Sequence, residues 1–436
     1  MTQSKQLLED LPMSKPLSVI DLFAGCGGLS LGLEEAGFTP VFVNELNDHA
    51  LESYLINREA DHPHLRDPAF HINNVKDLVT HPDLTKKLSA ALKKFHGINT
   101  KKGELDLLVG GPPCQGYSGI GHRRSYSVDK KQLPSNHLYQ DMAWLIRQLN
   151  PKVFLFENVR GLLSARWSST GAKGEIWEDV LSTFKGIPGY RINYELVFAK
   201  NYGVPQNRPR VLLVGVRDDI DITPWESLGS TVANGFLPPS QNKAPDLVDL
   251  LGDLVDDAFE YGGSTTTYPH KALTKTQKEL RTSKDGKSVA RKGQAVTEHD
   301  YSKHSDTVKA KFTYMIKHNG EIHESMKTKK FAQRLLPKVW DKSGPSITCT
   351  SLADDYVHFS QPRVLTVREW ARLQGFPDWY QFAGKRTTGG IRRAGNPRDG
   401  VFDRELPKYT QIGNAVPVKL AKAIGEHFKL VLGDAK

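Results

Sequence analysis

Four short stretches of the chain carry residue types able to do chemistry. Pro112-Pro113-Cys114-Gln115-Gly116-Tyr117-Ser118 sets a cysteine between prolines and a glycine-containing loop. A thiol held there is badly placed for a core role and can be activated as a thiolate nucleophile. The alternative is a buried, inert cysteine. Glu157-Asn158-Val159 puts a carboxylate where an apolar run ends, a position suited to a proton donor. Gln206-Asn207-Arg208-Pro209-Arg210 offers two arginines that can bind a phosphate or orient a carbonyl, or that merely cap a strand with surface charge. The fourth stretch is Asp21-Leu22-Phe23-Ala24-Gly25-Cys26-Gly27-Gly28-Leu29. Glycines there let the backbone approach a ligand, and the N-terminus of a following helix presents free N–H groups. Glu45 lies 20 residues beyond Gly25, where a carboxylate can accept hydrogen bonds from both ribose hydroxyls of an adenosine. The third glycine of a dinucleotide-binding turn is Ser30 in this chain. That favours an adenosine ligand without a pyrophosphate, such as S-adenosylmethionine, over a nicotinamide cofactor; an ordinary strand-to-helix turn is the plain alternative.

Each stretch must be held by an element. Apolar runs at 18–23, 40–45, 105–109, 152–156 and 210–216 read as buried strands. Helical patterning intervenes, as at Leu29 to Ala36 and Asp48 to Asn57. Strands alternating with helices predict an α/β fold with a doubly wound, mostly parallel sheet. The chemistry-bearing residues then sit at strand ends, the ligand-binding edge of such a sheet. Beyond about residue 222 the texture changes: 231–340 is rich in Gly, Ser, Thr, Lys and His with weak periodicity. Patterning returns near Val364, with helices expected over Thr366 to Gln374 and Pro417 to Val431. Three units follow: 17–222, a smaller domain at 223–340, and 341–431, whose last helix returns to the first unit.

The 436 residues carry a net charge of +10, and residues 271–338 alone hold 17 Lys/Arg against 7 Asp/Glu. Such a segment suggests a polyanion partner or a solvated charged face. His299, His304, His318 and His323 fall in it without cysteines or matched acids, so contact with that polyanion or solvent exposure is expected rather than metal binding. The three cysteines, Cys26, Cys114 and Cys349, form neither a disulfide framework nor a zinc motif, so no metal is expected and Cys349 reads as structural. No apolar run is long enough to span a membrane, and the N-terminus lacks the apolar core of a secretory signal, pointing to a reducing cytosol.

Taken together, the motifs resemble the DNA (cytosine-5) methyltransferase family of bacterial restriction–modification type. The glycine turn at 21–28, Pro-Pro-Cys-Gln at 112–115, Glu-Asn-Val at 157–159 and Gln-Asn-Arg-Pro-Arg at 206–210 occur in family order. They are followed by Arg363-Val364-Leu365-Thr366-Val367-Arg368-Glu369 through Leu373-Gln374-Gly375-Phe376-Pro377, and by Gln411-Ile412-Gly413-Asn414-Ala415-Val416-Pro417. The resemblance covers about 17–222 and 341–431; 223–340 aligns with nothing and would carry target recognition on double-stranded DNA.

The resemblance implies a Rossmann-like methyltransferase domain using S-adenosylmethionine. Cys114 would attack carbon 6 of a flipped-out cytosine. Glu157 would bond ring nitrogen 3 and the exocyclic amine. Arg210, and Arg208 less directly, would contact the base carbonyl or the catalytic loop. The cofactor would meet Asp21, Phe23, Ala24, Gly25, Cys26, Gly27, Gly28 and Leu29, then Glu45 and Leu46, Asn74 and Val75, Gly111 and Pro113, and finally Asn414 and Val416. Two positions depart from the family pattern. Asn74 stands where an acid usually contacts the adenine amine, and Ser135 stands where an arginine often precedes Asn136. Pro112 to about Gln132 would form a mobile loop with hinges at Gly116, Gly119 and Gly121 and phosphate-reaching His122-Arg123-Arg124. The insert at 384–408, with Gly389, Gly390, Arg392 and Arg393, reads as a second DNA-facing loop or a surface loop. The asymmetric plan suits a monomer, and a cognate restriction endonuclease would share the site without a stable complex. The rival readings are an RNA cytosine-5 methyltransferase, an inactive DNA-binding homologue and a nicotinamide-dependent dehydrogenase.

Overall fold

The computed structural model describes residues 16–113, 134–168, 170–240, 243–327, 333–342, 344–350, 353–388 and 405–433. Cys114, the expected loop hinges and residues 389–404 of the Gly/Arg insert lie outside the described residues. Seven strands build the central sheet: β1 (Leu17–Leu22), β2 (Phe38–Asn44), β3 (His71–Ile72), β4 (Leu107–Gly110), β5 (Val153–Val159), β6 (Tyr190–Phe198) and β7 (Pro209–Arg217). Their order is β3-β2-β1-β4-β5-β7-β6. The first five run parallel, and β7 lies antiparallel between β5 and β6. The mostly parallel α/β sheet expected from the sequence is present. Two strands escape the apolar-run reading. β3 has only two residues, and β6 is a polar edge strand that stays half-exposed.

Both faces of the sheet are apolar because helices cover both. Ile20, Leu22, Leu108, Phe154 and Phe156 pack on one side with Met142, Leu145, Ile146, Val180 and Phe184. Val19, Leu107, Val109, Val153 and Leu155 pack on the other with Leu420, Ile424 and Phe428 of the last helix, Val418–Leu432. That helix lies against the first one, Gly28–Glu35, at nearly backbone contact. A Cβ at Gly32 would stand 2.4 Å from Val418 O and 2.5 Å from Ala421 Cβ.

The segment following residue 222 does not leave this core at once. Trp225, Phe236 and Leu237 are buried in it, and Trp225 Nε1 donates to His427 O at 2.7 Å. The loss of periodicity after 222 therefore reflects irregular chain pinned by a few large apolar side chains. A second core joins Leu247, Leu250, Leu251 and Leu280 to Ile347, Trp370, Leu373, Phe376, Tyr380 and Ile412, and reaches Cys26 and Leu31 of the first unit. Buried ion pairs thread it. Arg372 meets Asp253 at 2.5 Å and Asp378 at 2.6 Å, and Arg363 grips Glu369 with two nitrogens. Removing one partner would strand a buried charge, so these pairs fix how the irregular segments assemble.

His299 belongs to this framework rather than to a DNA surface. It is buried, with Nδ1 2.9 Å from Thr366 Oγ1 and Nε2 2.9 Å from Leu254 O. His304 is half-buried and accepts from Val364 N at 3.4 Å. His318 stacks on Tyr314, and His323 bonds Ser325.

The Gly32 contact sets a test. In a free helix, alanine would be favoured over glycine by about 1 kcal/mol. The collision with Val418 O should outweigh that, leaving Gly32→Ala less stable by about 1–3 kcal/mol. A urea midpoint equal to or above that of the wild type would refute the backbone contact.

Candidate active site

The C-terminal ends of β1, β4 and β5 and the start of β7 meet at one edge of the sheet, and the four chemistry-bearing stretches leave from it. Beyond β1 the chain turns sharply. Phe23 adopts φ +57°, a left-handed conformation uncommon for a side chain of its size, and Gly25 and Gly27 follow at +57° and +85°. Asn44, at the end of β2, holds this bend: Phe23 N donates to Asn44 Oδ1 at 3.2 Å and Ala24 N to Asn44 O at 2.9 Å. Its Nδ2 reaches the carbonyls of Ile72 and Asn73, so β1, β2 and the loop after β3 are tied at one point.

Glu45 closes the turn from the side. Its two carboxylate oxygens each accept at 2.9 Å, from Gly25 N and Asn47 N. Burial pushes its carboxyl above the ordinary range, and those two N–H groups work against the shift. Leu46, the next residue, is 72% exposed and offers an apolar face beside that carboxylate. Asn74 is exposed and caps the helix Val75–Thr80, accepting from Lys76 N at 3.2 Å. Asn414 is exposed at the end of the helix Lys408–Asn414, two residues before Val416, whose carbonyl would stand 2.5 Å from a Cβ at Gly28.

Apart from Gly111 and Pro113, which follow β4, the predicted cofactor residues divide into two groups. Phe23, Ala24, Gly25, Leu46, Asn74 and Asn414 are at least partly exposed, while Glu45 is largely buried beside the turn. Asp21, Cys26, Gly27, Gly28, Leu29, Val75 and Val416 are buried and shape the turn from beneath. The Cys26 thiol is pushed up to about 12 by burial, which makes it inert. Asp21 accepts from Ser30 Oγ at 2.6 Å, and Ser30 Oγ lies 2.8 Å from Tyr54 OH. Ser30, the departure from a dinucleotide turn, therefore satisfies a buried acid. A carboxylate ready for hydroxyl donors, an apolar face and an exposed amide suit an adenosine ligand.

The second half of the site lies one to three strands away from β1. In the β5–β7 register Val159 faces Arg210 and Glu157 faces Leu212, so Glu157 and Arg210 are diagonal neighbours. Their side chains meet, with Arg210 Nε 2.6 Å from Glu157 Oε1. The other carboxylate oxygen, Oε2, would be only 2.8 Å from a Cβ at Gly111. A glycine is needed at Gly111 for this carboxylate to sit against the end of β4. Asn158 then fixes the exit of β4: its Nδ2 donates to Pro112 O at 3.2 Å and its Oδ1 accepts from Val159 N at 2.7 Å. Ser135 and Asn136 line a small cavity together with Pro112 and Pro113. Cys114 follows Pro113 directly, but lies outside the described residues.

Arg208 goes elsewhere. It is buried, and its two terminal nitrogens donate to Cys349 O and Gly413 O, both at 2.7 Å. Burial, with Arg210 nearby, pulls it down to about 9. Gln206 beside it bonds Leu373 O, Gln374 Oε1 and Cys349 N. The structure brings Arg210 to Glu157 and makes Arg208 a clamp between the two cores. Residue type and spacing missed Asn44, Tyr54, Arg58, Asn158 and Tyr380. The positions of Asn44 beside Glu45 and of Asn158 beside Glu157 were the only sequence cues available.

Sheet order and glycine turn define a Rossmann-like fold, and the paired Glu157 and Arg210 stand at the same edge of its sheet. The model for C-5 cytosine-specific DNA methylases matches residues 17–430, and the chain belongs to that family. It is a DNA cytosine-5 methyltransferase. The Type II methyltransferase M.DdeI of Desulfomicrobium norvegicum is 30% identical, over 94% of this chain and 88% of its own. M.PspPI of a Psychrobacter species is 31% identical, over 97% and 81%, and M.NgoPII of Neisseria gonorrhoeae 27%, over 96% of both. A solved protein encoded within an E. coli prophage shares the fold at a TM-score of 0.63 and 24% identity, covering 96% of this chain and all of that one.

Asp21 gives the buried half of the site a pH signature. Burial raises its carboxyl from 3.8 to about 7. Between those values the native state holds a proton that the unfolded chain has released. The stability it contributes is complete below about pH 3.8 and is lost as pH rises through about 7. Asp21→Asn keeps an acceptor for Ser30 and removes the titration. Urea unfolding across this range should show the wild type losing stability relative to Asp21→Asn as pH rises. Parallel profiles would reject Asp21 as the holder of that proton.

Proposed function

We propose that the enzyme methylates carbon 5 of one cytosine within a short, specific DNA sequence, through a covalent adduct between Cys114 and carbon 6 of a flipped-out base. The observation that carries this reading is the Glu157–Arg210 pair, seated against Gly111 at the strand end that leads directly into Pro112-Pro113-Cys114. Cytosine carbon 5 is a poor nucleophile until addition at carbon 6 makes it enamine-like. The Cys114 thiolate forms the carbon 6–sulfur bond. The Glu157 carboxyl, oriented by Arg210, bonds ring nitrogen 3 and the exocyclic amine and stabilises the electron density that arrives there. S-adenosylmethionine, when bound, supplies an electrophilic methyl group. Loss of the carbon 5 proton and expulsion of the thiolate then restore the ring. The base must leave the helical stack to reach these groups.

Phe23, the Ala24–Gly25 turn, Glu45, Leu46 and Asn414 would hold the cofactor. Glu45 would accept from the ribose hydroxyls while Leu46 covers the adenine. Asn74 would face the adenine amine with the side-chain oxygen that caps its helix. The variable segment would read the DNA sequence. The relatives' designation as Type II methyltransferases supports a protective role in a restriction–modification system, with a cognate endonuclease acting on the same site. The enzyme would act as a monomer where the DNA is, in the bacterial cytosol. No helix among the described residues is long and apolar enough to cross a membrane.

Expression in a methylation-deficient host, followed by bisulfite conversion and sequencing, should reveal protected cytosines in one short recurring motif. Cys114→Ala should abolish protection while retaining DNA binding. Glu157→Gln should lower turnover by about 10²-fold or more with cofactor affinity kept. A fully converted genome from soluble, folded protein would point to an RNA substrate or an inactive binder. Full activity in Cys114→Ala would refute the covalent route.

A further inference from the structure

Tyr380 closes the glycine turn from the opposite core. It follows the helix Val367–Leu373 and packs among Phe376, Trp379 and Phe382. Its hydroxyl donates to Cys26 O at 2.5 Å and accepts from Arg58 Nη1 at 3.1 Å. Arg58 lies 3.8 Å over the Tyr54 ring, is anchored by Glu34, and donates through Nη2 to Gly27 O at 3.3 Å. Two consecutive carbonyls of the turn are therefore held by one hydroxyl and one guanidinium. A peptide plane is rigid, so fixing a carbonyl also fixes the N–H on its far side. Holding Cys26 O aims Gly27 N at Ala24 O, the 3.0 Å bond that closes the turn. Holding Gly27 O aims the N–H of Gly28, the first helical residue, away from Arg58. A Cβ at Gly27 would stand 2.8 Å from both Tyr380 OH and Arg58 Nη1, so the fit leaves no slack.

The other end of Tyr380 leads into the variable segment. Its carbonyl accepts from Arg368 Nη2 at 3.0 Å. The same guanidinium donates to Thr297 O and Thr297 Oγ1, and Arg368 N donates to Glu298 O at 2.9 Å. Glu298 is strained, at φ +62°, and is pinned by Lys408 at 2.7 Å. Tyr380, Arg58 and Arg368 are all buried, so water does not compete for these bonds. Hydrogen bonds at the two ends of Tyr380, its hydroxyl and its carbonyl, thus connect the glycine turn through Arg368 to Thr297 and Glu298.

We infer that Tyr380 is a positioning residue whose hydroxyl presents the glycine turn to the cofactor and links that turn to the seating of the variable segment, so that cofactor and DNA strengthen each other's binding. The inference rests on the reading of the turn as the cofactor site. Coupling of this kind is reciprocal: whatever DNA does to cofactor affinity, cofactor must do to DNA affinity.

Calorimetric titration of S-adenosylhomocysteine into the full-length protein, with and without a duplex carrying the bisulfite-mapped site, tests it. Wild type, Tyr380→Phe and Tyr380→Leu are compared, with steady-state KM and kcat for S-adenosylmethionine. Tyr380→Phe keeps the ring and loses one buried hydrogen bond. It should weaken cofactor binding about tenfold, raise KM with little change in kcat, and bring the duplex's effect on cofactor affinity toward onefold. Arg58→Lys, which keeps the charge but loses the fork, should move the same readouts in the same direction and serves if Tyr380→Phe does not fold. Wild-type affinity and coupling in Tyr380→Phe, with only the leucine variant impaired, would reduce Tyr380 to packing and overturn the inference. So would a wild-type protein whose cofactor affinity ignores the duplex. A wild type that binds no S-adenosylhomocysteine at all would instead overturn the reading of the turn, and this inference with it.

Discussion

Missing side chains on the first helix let the two ends of the chain meet at backbone distance. A Cβ at Gly28 would stand 2.5 Å from Val416 O, and one at Gly32 2.4 Å from Val418 O. Gly425 answers from the other helix, where a Cβ would come within 2.7 Å of Ala36 Cβ. Approach this close is open only to glycine. Its consequence reaches beyond the packing of two helices. It carries Asn414 to the rim of a turn nearly 400 residues earlier in the sequence, and it brings the second core up against Cys26 and Leu31. The surroundings of the glycine turn are therefore shared by the two ends of the chain.

Given that return, the seam between the cores needs polar side chains to satisfy the carbonyls it buries. Gln206, Arg208 and Gln374 do so, binding carbonyls of Leu373, Cys349, Gly413 and Ile412. The five-residue motif at 206–210 thus combines two tasks. Gln206 and Arg208 hold the seam, and only Arg210, already in β7, reaches a group able to do chemistry. Burial costs Arg208 part of its proton affinity but leaves it charged at neutral pH, and its two carbonyl partners suit that charge.

The elements were legible wherever burial on both faces made strands uniformly apolar, as in β1, β4, β5 and β7. β6 was not, because an edge strand with a half-exposed face carries mixed residues. The glycine turn and Glu45 could be read because turn geometry demands specific residue types at fixed spacing. The Glu157–Arg210 contact could not, since it depends on the register of two strands about 50 residues apart. Tyr54, Arg58 and Tyr380 were invisible for another reason. Arg58 and Tyr380 bond backbone carbonyls, which leave no mark on composition, and Tyr54 meets Ser30 and Arg58 only through the fold. Trp225 was misplaced because one buried indole can hold an aperiodic segment in a core.

The basic segment shows how far charge alone can mislead. Part of its positive charge is structural. Arg281 is buried against Asp253 at 2.6 Å, Lys284 meets Asp61 and Asn57 O at the first unit, and Lys311 is buried with Gln333. The acids answering Arg281 and Lys284 lie outside 271–338, so the segment's charge excess partly records how the cores are joined. What remains for a polyanion is the exposed set, including Lys271, Lys275, Lys278, Lys287, Arg291 and Lys292. Each phosphate neutralised contributes about −0.9 to the logarithmic salt dependence of binding. The share of such a salt dependence that residues 271–338 can supply is therefore smaller than their formal charge suggests. The segment thus combines buried cations that seat it on the rest of the chain with exposed cations that face outward.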